Sequence, residues 1–141
     1  MKRKSLVFIS MLFLTVTFVY AQNVMVPKAV KAAFGEKFPG AENPVWKKAN
    51  DNYQVHFLYD TEHHALFAID GKWLKTVAII SEDDLPEAAS EYISETYEEF
   101  EIKQAQQIVT NKGKTSYQVI LLVDEDKVKL DFDALGDYVE K

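Results

Sequence analysis

From Val26 the apolar positions fall three and four apart, at Val26, Val30, Ala33, Phe34 and Phe38, with Lys28, Lys31, Glu36 and Lys37 between them. That spacing gathers the apolar side chains on one face of a helix. Pro27 suits the first turn, where an amide would have no partner in any case, and Pro39-Gly40 ends the segment. The same plan returns at Leu85. Leu85, Ala88, Ala89, Tyr92, Ile93, Thr96 and Tyr97 form a second stripe, with Pro86 in the place of Pro27. Asp83 and Asp84 stand just upstream, where a carboxylate caps free amides and favours the positive end of a helix.

After each helix the period changes to two, the signature of strands. Tyr53, Val55, Phe57 and Tyr59 alternate with Gln54 and His56, and Tyr117, Val119, Leu121 and Val123 repeat the alternation. Each of these strands follows another, at residues 44–49 and 102–110, across the turn clusters Asn50-Asp51-Asn52 and Asn111-Lys112-Gly113. Each precedes a third, at residues 65–69 and 128–132. Phe67, Gly71, Trp73 and Leu74 then align on Phe132, Gly136, Tyr138 and Val139. Asp70-Gly71 reads as a two-residue hairpin turn with both central residues at positive φ. The pattern therefore predicts an α+β fold of two tandem helix-plus-four-strand antiparallel repeats, at residues 24–80 and 83–140, in one domain joined at Ser81–Asp84. Ile120 and Leu122 make the second face of their strand apolar, so that face needs cover from the other repeat or from a partner.

The first residues follow a different rule. Lys2, Arg3 and Lys4 precede the apolar run from Leu6 to Val19, and Ala21 precedes Gln22. This is the layout of a secretory signal peptide, residues 1–21, cleaved after Ala21 to leave a domain at residues 22–141. The run holds about 15 apolar residues against the roughly 20 that cross a bilayer, so no stable membrane span is expected after cleavage. A periplasmic or secreted protein is expected.

Losing three cations moves the formal charge from −6 to −9 and leaves no arginine. Nucleic acid is then an unfavourable partner, because phosphate binding relies on clustered cations. The chain has no cysteine. Thiolate catalysis, thiolate zinc sites and a disulfide framework are all excluded.

Taken together, the leader, V-P-x-x-V-x-x-A-F from Val26, F-P-G-A from Phe38, Trp46, Tyr53, F-x-x-x-G-x-W from Phe67, L-P at Leu85 and the closing F-D-A-L-G-D-Y from Phe132 resemble the PepSY-like, beta-lactamase-inhibitor-like family. The resemblance runs from Val26 to Val139. It implies the tandem fold of beta-lactamase inhibitor proteins, in which a sheet surface presents side chains to a target enzyme, and an exported, non-enzymatic protein. Beta-lactamase inhibitor proteins use disulfides, which this chain lacks, and no motif here carries over an inhibitory contact.

Ligand character is concentrated at His56, Asp60, Glu62, His63 and His64. With Val55 and Phe67 facing one core, Asp60 to Glu62 forms the turn, His56 and His64 lie diagonally on the outer face, and His63 points the other way. Two imidazoles with Asp60 or Glu62 would bind a metal weakly, and structural or catalytic zinc usually takes three or four protein ligands. No metal and no cofactor is therefore expected. The acidic runs Glu82-Asp83-Asp84 and Asp124-Glu125-Asp126 lack the spacing of a calcium-binding hand and suit a cap and a turn. Ser81, Ser90, Ser94 and Ser116 sit in no nucleophile elbow, and the five glycines form no phosphate-cradling loop. The chain does not read as an enzyme.

Trp46, Tyr59, Trp73 and Tyr138 are the candidate contact residues, because aromatics with a polar tip give rigid contact area on an uncovered sheet face. The expected function is an exported binding module that recognises another envelope protein through its sheet face and restrains an enzyme there. The alternative is a small-ligand or metal-handling protein using the crevice between repeats or the His56/His64 hairpin.

Overall fold

The computed structural model describes residues 24–141; the leader and its cleavage point after Ala21 lie outside the described residues. Two ten-residue helices form where the apolar stripes predict them, α1 at Lys28–Lys37 and α2 at Glu87–Thr96. Each begins the same way. The Pro27 carbonyl accepts from the Val30 and Lys31 amides, and the Pro86 carbonyl accepts from those of Ala89 and Ser90. Asp84 does not cap α2. It closes a single 3-10 turn at Glu82–Asp84, taking hydrogen bonds from the amide and the hydroxyl of Ser81.

The strands are β1 (Glu42–Ala49), β2 (Asn52–Tyr59), β3 (Thr61–Ala68), β4 (Trp73–Ile80), β5 (Glu101–Thr110), β6 (Thr115–Val123) and β7 (Asp126–Asp133). They form one antiparallel sheet whose spatial order equals the chain order, β1 to β7. The two halves meet where β4 pairs with β5, from Lys75 opposite Thr110 to Ile80 opposite Ala105.

The second half departs from the expected four strands. After Gly136 only a single bridge forms, between Phe132 and Tyr138. The physical difference is lateral support: β4 is hydrogen-bonded by β3 on one side and β5 on the other, whereas Tyr138 has only β7 beside it.

The turn at Asp70-Gly71 also differs from expectation. Gly71 is at φ +91°, and Asp70 is not at positive φ. The Gly71 amide bonds the Ala68 carbonyl and the Ala68 amide bonds the Lys72 carbonyl, at 2.9 and 2.8 Å. That is a turn closed by a glycine bulge, and a separate register shift between Leu66 and Phe67 leaves Leu74 as an extra residue further along the ladder. Residues 133–137 repeat the same pair of bonds around Gly136. The two-residue turn with both φ values positive occurs instead at Asp124-Glu125.

Both helices pack on the same face of the sheet, in two separate cores. Val30, Phe34 and Phe38 of α1 meet Tyr53, Val55, Phe57, Ala65 and Phe67. Leu85 with Ala89 and Ile93 of α2 meets Ala105, Val119, Leu121, Leu130 and Phe132. Each deeply buried Val, Leu, Ile or Phe among them contributes about 1.5–3 kcal/mol. Thr96, expected in the second stripe, is exposed. Among the described residues no charged side chain is buried.

Candidate functional site

Period-two alternation puts one set of side chains against the helices, and the other set has nothing over it among the described residues. Neither half covers this open face of the other, because the halves lie side by side in one sheet. Opposite residues of paired strands share a face, so the registers define its rows. One row runs Val45, His56, His64, Val77, Ile108, Ser116 and Asp133 across all seven strands. Ile79 stands beside Gln106 and Gln118, and Ile120 beside Gln104.

The centre of this face is apolar and amide-rich, without charge. Gln104 donates to Gln106 at 3.5 Å, Gln106 to Gln118 at 2.6 Å, and Gln118 to the Asp131 carboxylate at 2.8 Å. Lys141 closes the chain on the other Asp131 oxygen at 2.8 Å. Burial raises the Asp131 pKa, but the hydrogen bonds from Gln118 and Lys141, with the charges of Lys141 and Lys129, outweigh it and hold the carboxyl below its ordinary value. The open face thus has an internal polar scaffold that fixes its glutamines in place.

The sheet edges are less available than the face. β1 carries Pro44, which has no N–H to donate, and a bulge between Glu42 and Val45 with Asn43 at φ +51°. The outer edge of β7 is covered in part by the returning chain, where the Val139 amide bonds the Asp131 carbonyl at 2.9 Å.

His56 and His64 are directly opposite each other rather than diagonal, and their rings meet edge to face with centroids 5.0 Å apart. The reason is a shorter turn than expected. Asp60 alone, at φ +65°, separates the paired residues Tyr59 and Thr61, and Glu62 belongs to β3 opposite Leu58. His63 lies on the helix side near Phe57 and Tyr59. The His64 pKa is lowered by burial, then by the charges of His56, Lys75 and His63. Among the described residues no three His, Cys, Asp or Glu side chains are placed to hold a metal ion.

The four candidate aromatics lie on the helix side, not on the open face. Trp46 packs edge-on to Phe34 at 5.4 Å, and Trp73 lies under the Lys37 ammonium at 3.7 Å while donating to Thr76. Tyr59 sits against Phe38, and Tyr138 stacks on Tyr92 at 4.6 Å. A row of aromatics on an uncovered sheet is therefore absent among the described residues. Each ring packs toward a helix instead, Trp46 and Trp73 half-buried there and Tyr59 and Tyr138 still exposed.

Residues 51–140 match the family model described as "Putative beta-lactamase-inhibitor-like, PepSY-like". The chain belongs to this PepSY-like family. Solved structures share its fold. A Bacteroides eggerthii protein described as "putative periplasmic" matches with a TM-score of 0.76 at 14% identity, over 83% of this chain and 88% of its own. A DUF2874 family protein from Bacteroides ovatus matches with a TM-score of 0.74 at 18% identity, over 83% and 86%. A protein from Bacteroides fragilis described as BLIP-like, that is, like the beta-lactamase inhibitor proteins, matches with a TM-score of 0.72 at 20% identity, over 83% and 85%. At such identities the likeness is one of fold. No curated protein matches the sequence.

In this PepSY-like chain, Val77, Ile79, Ile108, Gln104, Gln106 and Gln118 of the open face belong to no motif in the sequence. A signal was present: Ile79-Ile80 and Ile108-Val109 are apolar at both parities, as Ile120 to Leu122 are. No helix among the described residues is long and apolar enough to cross a membrane.

Proposed function

We propose that this PepSY-like protein is an exported binding module, released by cleavage after Ala21, whose open sheet face recognises another protein of the cell envelope and restrains an enzyme there. The observation that carries this reading is the uncovered face itself. Its centre, the half-buried Ile79, Ile108 and Ile120 with Gln104, Gln106 and Gln118, set around the buried Val77, is free of charge, as the cores of protein interfaces are. The edges are blunted by Pro44 and by the returning C-terminal segment, so recognition goes to the face and not to strand addition. The family description and the BLIP-like neighbour support a protein target. The partner surface that fits has apolar side chains at its middle and backbone or amide groups to pair with the glutamines.

The test is site-specific photo-crosslinking in exporting cells, with the probe at position 108 on the open face or at Glu91 on α2. The expected result is a discrete adduct from position 108 only, competed by unlabelled protein and lost with Gln106→Lys. Equal adducts from both positions, or an adduct indifferent to Gln106→Lys, would refute the reading.

A further inference from the structure

The first half of the open face holds a second feature that protein recognition does not require. His56 and His64 occupy directly opposed positions on β2 and β3, and both project from the open face. With metal–nitrogen bonds of about 2 Å and a near-tetrahedral angle, two imidazoles on one ion keep their ring centres about 5 Å apart. The observed separation is 5.0 Å in an edge-to-face contact with the ring planes at 88°, so binding an ion calls for a rotation of the rings that turns one nitrogen of each toward it, with no change in their spacing. The Gln54 amide donates to His56 Nε2 at 3.2 Å, so that nitrogen presents its lone pair. A hollow of about 180 Å³ opens on the pair, lined on this face by His56, His64, Glu62, Ile79 and Gln104.

We infer that His56 and His64 form a two-imidazole site for a first-row transition-metal cation, with Glu62 at the rim as a third, more distant donor. Because three protein donors are not gathered, water completes the coordination and the ion is exchangeable. The preference follows the ligand type: imidazole suits Cu²⁺, Ni²⁺ and Zn²⁺, with Cu²⁺ the tightest of the three, and does not suit Ca²⁺ or Mg²⁺. Lys75, whose charge reaches His64, opposes the cation and keeps the affinity modest. The bound ion displaces the Gln54 amide from His56.

The test uses the exported chain, Gln22–Lys141, without a polyhistidine tag. Cu²⁺, Ni²⁺, Zn²⁺ and Ca²⁺ are titrated in turn while calorimetry and the imidazole NMR signals are followed. The expected result is one ion per chain, perturbation of His56 and His64 and not of His63, and tightest binding for Cu²⁺. His56→Ala, at an exposed position that leaves the core intact, abolishes binding, as does His64→Asn; His63→Ala leaves it, and Lys75→Gln tightens it. Thermal melts of the apo variants confirm that each is folded. No saturable binding, binding that survives loss of both His56 and His64, or equal loss with His63→Ala overturns the inference.

Discussion

Gly71 lies so close to the first turn of α1 that a Cβ built on it would stand 2.7 Å from the carbonyl oxygen of Ala29. Gly136 has the same relation to α2, where a Cβ would stand 2.9 Å from the Ala89 amide nitrogen and 2.7 Å from Pro86 Cβ. Both glycines are at φ +91°. Each turn thus seats the start of its helix on the sheet, and the helix cannot be placed there if the turn carries a side chain.

Gly71→Ala and Gly136→Ala are each expected to cost about 2–4 kcal/mol, from left-handed strain plus a forced shift of backbone. Gly113 is the control, at φ +75° in a turn of the same hydrogen bonding but with open space around it. Gly113→Ala should cost about 1 kcal/mol. Urea melts of the three variants measure this; equal losses would show that contact with the helices does not matter.

Acid should weaken the glutamine ladder through Asp131. Its carboxyl is held below the ordinary value of 3.8, so the stabilisation is fully present above that value. It is lost as pH falls through the lower folded value. Melting temperatures of the wild type and Asp131→Asn, compared between pH 6 and pH 2, should converge at the acid end. A constant gap across the range would exclude this ionisation as the source.

Lys37 covers the Trp73 ring at 3.7 Å from its centroid. Replacing it by Ala should cost about 0.5–1 kcal/mol, typical of a cation–π contact near the surface. The tryptophan emission should change with it, read against Lys31→Ala as the control on the same helix. Identical spectra for the two variants would dismiss the contact.

The seam between the halves is expected to be the place of lowest local stability in the sheet. The two cores have no residue in common, and β4–β5 pairing joins them. Amides bonded across that pairing should exchange with solvent faster than those between β2 and β3 or between β6 and β7. Native-state hydrogen exchange measures the difference, and uniform protection across all seven strands would contradict it.

Much of this architecture was legible because it is written in periods. Val30, Phe34 and Phe38 could only share a helix face, and Val55 and Phe57 could only share a sheet face. The number of strands was less legible, since Tyr138 and Val139 look locally like Trp73 and Leu74 and differ only in having no strand to add beyond them. The site was harder still. Alternation tells which residues share a face but not which face a helix covers, and so Trp46 and Trp73, expected on the uncovered face, lie half-buried on the helix side. Gln104, Gln106 and Gln118 say nothing singly; their meaning comes from the register that lines them up. A β2–β3 turn of one residue, Asp60, in place of three is what sets His56 opposite His64 and not diagonal to it.

The identity of spatial and chain order in the sheet bears on how the protein is made. Each strand docks on the one synthesised just before it, so assembly calls for no distant segment and little loop entropy is spent before contacts form. If the chain is exported as proposed, β1 to β4 can be laid down under α1 while its remainder is still in transit. Delivery and folding then proceed in the same direction, strand by strand.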